Sequence, residues 1–204
     1  MGGITISAKN HFGSHTKDGS SHFHNYLPIV GGRYDINSGY KKYRILTDLM
    51  GSKYLGRNTL IHIVDGLFGG GADEQGPPVK YIMPPFYNNW SNSLFISLDQ
   101  VAIESVCYDF LRSEWNGIYH HDSSNNATLG PSVHGLDDYL HQAADRSYWP
   151  EGIIYDPDNS GTPMPSLGVH EHWNNPINKQ YSRNLGKNRG IELVSIPDNL
   201  VGGN

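Results

Sequence analysis

The sequence predicts an α/β protein with a mainly parallel sheet flanked by helices, followed by a long irregular C-terminal segment. Between residues 4 and 149, short β-branched or apolar runs alternate with stretches of helical period, as in β-α-β units. Residues 150–204 are instead rich in Pro, Asn, Gly and Ser and are largely without a period. A length of 204 residues suits a single α/β domain over 1–204 with its core in 4–149. Because a strand-like run comes almost at once, we expect this domain to be the C-terminal part of a longer architecture.

The first half of the chain contains the predicted β-α-β unit. Residues 4–8 alternate β-branched with small polar residues, as a strand does. Residues 40–51 place Tyr43, Leu46 and Met50 on one helical face, and Gly51 is a natural helix stop. The run 59–64 has the composition of a buried strand. Since a right-handed crossover joins parallel strands, the two strands are expected to be parallel.

The second half adds a third strand, two helices and a closing strand. Residues 93–97 (SLFIS) predict a strand, which leads into a helix over 99–115 with an apolar stripe. Either Ser97 with Gln100, as a capping box, or Asp99 alone can cap this helix. A shorter helix is predicted over 136–145, and 191–195 (IELVS) predict a last short strand.

Composition limits the partners of this protein. A formal net charge of −5 and the lack of any Lys/Arg run argue against nucleic acid and against an anionic membrane surface. We therefore expect a small-molecule or carbohydrate ligand. No run approaches the roughly 20 apolar residues of a membrane helix, and no signal peptide is recognisable. The single cysteine, Cys107, excludes an iron–sulfur cluster ligated within this chain and is expected to be buried. Oligomeric state and compartment stay open.

Histidines near the predicted strand ends indicate a metal site. Ligands of parallel α/β sheets bind beyond the carboxyl ends of the strands, where several of these loops would meet. Imidazoles and carboxylates are ligands of divalent transition metals. The two H-x-H pairs can each face one ion only from extended chain, because such side chains diverge on a helix. The predicted metal ligands are His11, His22, His24, Asp65, His170 and His172.

The alternative is that the histidines are incidental surface or hydrogen-bonded groups. His62 is expected to be a satisfied core histidine inside a strand, and His141 to lie on a polar helix face. Geometry discriminates between the two hypotheses. Four His or Asp side chains that meet about 2.0–2.3 Å from one point favour a metal enzyme, whereas scattered histidines favour a binding module.

Three further features carry chemistry. Lys9 and Glu171 are the candidate acid/base groups, and Trp173 suits stacking on a sugar ring, with core packing as its alternative use. The spacing in residues 156–162 resembles the start of a calcium loop, although its twelfth position is Leu167 instead of Glu. An Asx-turn loop is the alternative there. The candidate calcium ligands are Asp156, Asp158 and Ser160.

Several motifs in order resemble the C-terminal half of a bacterial family, domain of unknown function number 362. They are KNHFGS (9–14), IVDGL (63–67), SLFISLDQVAIESVCYDFL (93–111), and GVHEHWNNP (168–176) with KQYSRNLG (179–186). The later motifs are similar to a subgroup found in gut and environmental Bacteroidota. Gln100 stands where the family usually has Pro, which leaves the capping role of Asp99 intact. The resemblance implies a site, with no established reaction, at Lys9, Asn10, Gly13, Asp65, Gly66, Ser97 and Asp99.

These observations favour a metal-assisted enzyme that acts on a small polar or carbohydrate-like substrate. The competing hypotheses are a non-catalytic ligand-binding or redox-accessory module, and a truncated chain without a complete site. On the first hypothesis, the irregular segment folds back so that His170 and His172 meet the first histidine-rich loop.

Overall fold

The computed structural model describes residues 6–14, 39–69, 77–114 and 137–196. It contains helices α1 (Ile45–Met50), α2 (Gln100–Ser113) and α3 (Asp138–Ala144), and strands β1 (His62–Gly66) and β2 (Ser93–Ser97). Short 3-10 helices span Ala8–Ser14, Gly56–Asn58 and Arg146–Tyr148. The described chain is therefore mixed α and β. None of its helices combines the length and apolar character that crossing a membrane requires.

The prediction of a mainly parallel sheet is wrong, because β1 and β2 pair antiparallel and form a two-stranded sheet. The predicted first strand does not form within residues 6–14, where Ala8–Ser14 is a 3-10 helix. The backbone N–H of Ala8 donates to the carboxylate of Glu104 on α2 at 2.7 Å, not to a neighbouring strand. Without that strand in the described residues there is no crossover to impose a parallel direction.

The antiparallel register separates two acidic residues that were expected to share one sheet edge. Asp65 lies opposite Leu94. Asp99 follows Ser97, which pairs with His62 at the other end of the sheet. Carboxyl ends of antiparallel neighbours lie at opposite ends of a sheet. The strand ends therefore do not gather these loops as a parallel sheet would.

The predicted helix over 99–115 is confirmed as α2, and Asp99 caps it. Asp99 Oδ1 accepts a hydrogen bond from the backbone N–H of Ala102 at 2.9 Å. Ser97 Oγ accepts one from the N–H of Asp99 at 2.9 Å, so Ser97 supports the cap instead of forming it. The helix predicted over 40–51 begins only at Ile45, because Lys41 has φ of 60° and Arg44 is extended, with φ of −127° and ψ of 106°. Residues 191–195 are not assigned to a strand.

Helix α2 lies between two apolar clusters. Val101 and Tyr108 belong to a cluster with residues of α1 and α3. Val106 and Phe110 belong to a second cluster, which includes Tyr181 and other residues of the irregular segment. Cys107 is buried on the same helix, as predicted. The irregular segment therefore folds back on the helix that also organises α1 and α3.

Glu104 is a fully buried carboxylate on α2, and neutral groups donate hydrogen bonds to it. Ser7 Oγ donates to Oε1 at 2.8 Å, and Tyr139 Oη donates to Oε2 at 2.7 Å. Burial raises the pKa of Glu104 above its ordinary value of 4.5, although the hydrogen bonds oppose this shift. A raised folded-state pKa means that the folded protein binds the proton more tightly, so stability falls as pH rises above about 4.5.

We expect Glu104→Gln to stabilise the protein by about 1–2 kcal/mol at pH 8 and to flatten this pH dependence. A glutamine can still accept from Ser7 and donate to Tyr139 Oη, and it carries no charge to desolvate. Urea unfolding at pH 5 and at pH 8 measures the effect. A variant that loses stability at pH 8 would show that the buried charge is itself stabilising.

Position 51 requires glycine because the ring of Tyr155 lies close to it, and not because of its backbone conformation. It caps the C-terminus of α1 with φ of −83°, which any residue adopts. A Cβ atom at this position would overlap the ring of Tyr155. We therefore expect Gly51→Ala to cost about 1–3 kcal/mol of unfolding free energy. Ser52→Ala, at the next residue, is the control and should change stability by less than about 0.5 kcal/mol.

Candidate metal centre

Four side chains converge where α3 meets the irregular segment. They are Asp137, His141, His170 and His172, and each offers a ligand atom that lies within 4.8 Å of the other three. Asp137 and His141 share one face because they are four residues apart at the start of α3. His170 and His172 share one face of extended chain because they are two residues apart. A pair from a helix thus faces a pair from a loop.

The separations within this group suit a single ion. Nε2 of His172 and Nε2 of His141 lie 3.5 and 3.8 Å from Asp137 Oδ2. The ring of His170 lies 4.4 Å from that of His141 and 4.9 Å from that of His172, centroid to centroid. Tetrahedral zinc with bonds of about 2.0–2.2 Å separates its ligand atoms by about 3.3–3.6 Å. Small side-chain rotations would therefore bring the four donors to coordination distance.

A serine on α2 contacts His170. Ser105 Oγ lies 2.7 Å from the carbonyl oxygen of Val101, to which a serine inside a helix commonly donates. With that donation, Ser105 Oγ accepts a hydrogen bond from Nδ1–H of His170, which lies 2.8 Å away. We assign this tautomer, which leaves the lone pair on Nε2. This nitrogen is buried and makes no hydrogen bond with the described residues.

The charge state of His170 agrees with this tautomer. Burial, followed by the charges of His141 and His172, lowers the pKa of His170 to about 3. The ring is therefore neutral at physiological pH. A neutral imidazole with its proton on Nδ1 and a free lone pair on Nε2 is the form that binds a metal ion.

A buried carboxylate on α2 orients His172. Asp109 Oδ1 accepts from Nδ1 of His172 at 2.7 Å, while Oδ2 accepts from the N–H of Trp173 and from Tyr181 Oη at 3.0 and 2.9 Å. Hydrogen bonds with Asp109 and then Asp137 raise the pKa of His172 to about 9. A carboxylate bonded to the far nitrogen of a histidine is the usual second layer of a metal site, since it fixes the ring and raises its basicity.

Asp137 supplies the negative charge of the group. It occupies the N-cap position of α3, but its side chain makes no capping hydrogen bond and is directed to the histidines. Burial alone would raise the pKa of Asp137, but the hydrogen bond from His172 and the charge of His141 outweigh it and lower this pKa. The side chains of Asp137, His141 and His172 are 21%, 34% and 33% exposed, so the group is open to solvent on one side.

The sequence identified one half of this group and missed the other. His170 and His172 were predicted as ligands and lie in it. Asp137 and His141 were not: His141 was assigned to a polar helix face. The D-x-x-x-H spacing at the start of α3 was the available signal, since it places a carboxylate and an imidazole on one side of a helix.

The remaining predicted ligands lie elsewhere or outside the described residues. His11 and Asp65 do not belong to the four-residue group. Asp65 is exposed on β1, where its carboxylate accepts from the N–H of Leu67 at 2.9 Å. His22 and His24 lie outside the described part of the chain. The segment containing His170 and His172 meets α2 and α3, and most of the first predicted loop lies outside the described residues.

Glu171 points away from its two histidine neighbours, as the alternation of extended chain requires. Its Oε1 accepts hydrogen bonds from the N–H groups of Ser182 and Ile191 at 3.1 and 2.5 Å. A side chain at Gly190 would collide with this carboxylate oxygen. Glu171 therefore ties the turn at 182–191 to the segment that contains His170 and His172. This geometry favours a structural role for Glu171 over the predicted acid/base role.

Trp173 packs in the second apolar cluster, with its ring centroid 5.0 Å from that of Phe110. The buried amino group of Lys179 lies 5.3 Å from the Trp173 ring. This is the core-packing alternative for the tryptophan. Its backbone N–H helps to hold Asp109, so Trp173 supports the metal group from behind.

The residues implied by the family resemblance lie at three places. Lys9, Asn10 and Gly13 are in the 3-10 helix Ala8–Ser14, and Gly66 ends β1, where a Cβ atom would press on Phe95. Asp99 contacts the segment that contains His170, because its Oδ2 accepts a hydrogen bond from the N–H of Val169 at 2.9 Å. Asp99 thus contributes to the position of His170 through the backbone.

The candidate calcium loop folds as an exposed turn closed by its own donors. Asp156 Oδ1 accepts from the N–H of Ser160 at 3.0 Å, and Oδ2 accepts from that of Gly161 at 2.8 Å. Asp158 Oδ1 also accepts from the N–H of Ser160, at 3.2 Å. These contacts are those of an Asx turn.

Comparison of the chain with protein-family models, with curated proteins and with solved structures gave no match. The similarity to domain of unknown function number 362 therefore stays a prediction from the quoted motifs.

Proposed function

We propose that this protein binds one divalent transition metal ion, with zinc as the best fit, and uses it to hydrolyse a small polar substrate. The ligands are Nε2 of His141, His170 and His172 and a carboxylate oxygen of Asp137. The sequence suggested a metal-assisted enzyme and two of these four ligands, His170 and His172; the other two ligands and the hydrolytic reaction are added here.

The observation that carries the proposal is the Nε2 atom of His170. A buried nitrogen lone pair without a donor costs free energy, and such a group usually has a functional reason. The assigned donation of Ser105 to Val101 places the ring proton of His170 on Nδ1 and leaves Nε2 as an acceptor. A metal ion among the four side chains would satisfy this lone pair.

The donor set decides which ion fits best. Three imidazoles and one carboxylate suit zinc, and they also suit iron and other divalent transition metals. Magnesium and calcium prefer an all-oxygen set, so they fit poorly. The carboxylate of Asp137 offsets part of the ion's charge, and His172, whose pKa is raised to about 9, releases its Nε2 proton when the ion binds.

The exposed side of the group supports a catalytic role. Zinc at this position would lower the pKa of a water molecule and polarise a substrate oxygen. His170 and His172 are held by α2 through Ser105 and Asp109, so they form the fixed part of the site. In a site where the three histidines alone hold the ion, the carboxylate of Asp137, which makes no helix-cap hydrogen bond, would accept a proton from the water.

A structural zinc site is the second candidate, and the number of protein donors favours it. Closed sites with four protein ligands are typically structural, whereas catalytic zinc sites usually have three. The ion would clamp the irregular segment, through His170 and His172, to α3. Access of a small chelating ligand to the bound ion separates the two candidates.

The first test is metal analysis of protein purified without a chelator or a metal-binding tag. We expect about one equivalent of zinc per chain by mass spectrometry. Copurification of less than about 0.1 equivalent, together with failure of the metal-free protein to take up zinc in a competition titration, would refute the proposal.

Metal removal should lower thermal stability. Zinc at about 1,000 times its dissociation constant stabilises the folded state by about 4 kcal/mol. For a chain of this size that corresponds to about 8–16 °C in Tm. Calorimetry of chelator-treated protein with and without added zinc measures the shift. Magnesium is the matched control, and we expect it to leave Tm unchanged.

A further inference from the structure

An exposed tyrosine borders the metal group. The ring of Tyr40 meets that of His141 edge to face, with centroids 5.6 Å apart and planes at 64°. Tyr40 is 40% exposed as a residue, and it lies next to a candidate ligand. On its other contact it stacks on Tyr148, with centroids 4.2 Å apart and planes at 22°. We call Tyr40 and Tyr148 together the ring pair.

The backbone on both sides of Tyr40 is fixed. The N–H of Gly39 donates to Asp138 Oδ2 at 2.5 Å, and the guanidinium of Arg44 donates to Gly39 O and to the same Asp138 oxygen at 2.6 and 2.9 Å. The N–H of Lys41 donates to the carbonyl of Tyr148 at 2.9 Å. These bonds hold the backbone on both sides of Tyr40 in place. The protein therefore loses little conformational entropy when a ligand binds to Tyr40.

The first turn of α3 links the ring pair to the four candidate metal ligands. Asp138, which anchors Gly39, directly follows the candidate ligand Asp137.

We propose that the ring pair is a substrate-binding surface of the metal centre, and that the substrate carries a planar ring next to the oxygen that reaches the ion. This inference rests on the proposed function. The two tyrosine rings are nearly parallel, so a third planar ring placed on Tyr40 opposite Tyr148 would extend the stack in the geometry that aromatic rings prefer. Tyr40 is then a specificity-determining residue.

The test uses cobalt-substituted protein and two hydroxamates. Benzohydroxamate and acetohydroxamate chelate a metal through the same group, and only the first has a ring. Binding of each is followed by the visible absorption of cobalt. The measured quantity is the ratio of their dissociation constants in the wild type and in Tyr40→Leu.

We expect Tyr40→Leu to reduce the preference for benzohydroxamate about fivefold to tenfold and to leave acetohydroxamate affinity unchanged. Tyr40→Phe should keep the preference, because stacking needs the ring and not the hydroxyl. Tyr54→Leu is the matched control, since Tyr54 is 75% exposed and lies outside the ring pair and the metal group.

Three other outcomes would overturn the inference, and they are distinguishable. An unchanged ratio in Tyr40→Leu, with cobalt still bound, removes the ring surface and leaves the metal site. Cobalt that binds but whose spectrum neither hydroxamate changes indicates a closed, structural ion and removes both the ring surface and catalysis. Failure of cobalt and zinc to bind the wild type removes the proposed function and this inference with it.

Discussion

Replacement of His170 by alanine is expected to weaken zinc binding by about two to three orders of magnitude. Four ligands that share about 10–16 kcal/mol contribute about 2.5–4 kcal/mol each. Water does not easily take the place of the His170 ring, because the ring is largely buried and its Nδ1 is hydrogen-bonded to Ser105. Competition with a chromophoric chelator measures the dissociation constant.

One histidine and one aspartate outside the four-residue group provide controls for this variant. His11→Ala and Asp65→Asn alter residues that the sequence predicted as ligands but that lie outside the four-residue group. Both variants should bind zinc as tightly as the wild type. If His11→Ala loses zinc while His170→Ala retains it, the ion binds at the first loop and not among Asp137, His141, His170 and His172.

Substitution of Asp109 by asparagine is expected to weaken both metal binding and the fold, without removal of a ligand. Asp109 is 3% exposed on its side chain and accepts from His172, Trp173 and Tyr181. An asparagine has one acceptor oxygen, and its NH2 group must face at least one of these donors. We expect a loss of about 3 kcal/mol in unfolding free energy.

The same variant should bind zinc about 10- to 100-fold more weakly, which is the usual effect of losing the carboxylate behind a metal-bound histidine. Zinc titration of the folded variant at low temperature separates this effect from instability. The control is Glu192→Gln, which makes the same chemical change where Arg183 is 3.8 Å away and both side chains are about half exposed. That variant should differ from the wild type by less than about 0.5 kcal/mol. Unaltered zinc affinity in Asp109→Asn would mean that His172 is not a ligand.

Local patterns in the sequence determined several features that the structure confirms. The apolar stripe of α2 and its cap at Asp99, the strand at 93–97, and the burial of Cys107 all follow from periodicity and residue type over a few turns. The H-x-H spacing also indicated that His170 and His172 face the same way, because that depends only on the backbone being extended.

Tertiary structure alone decided which groups those histidines meet. Antiparallel pairing of β1 and β2 removed the shared strand edge on which the predicted ligand set depended. Asp137 and His141 come from a helix distant in sequence, and Ser105 and Asp109 come from another. Glu171 lies between two ligands in sequence and yet points to the opposite side. Sequence period records which face of an element a residue occupies, whereas convergence at a site depends on how distant elements pack. That packing is set by the sum of many long-range contacts, and no local pattern encodes it.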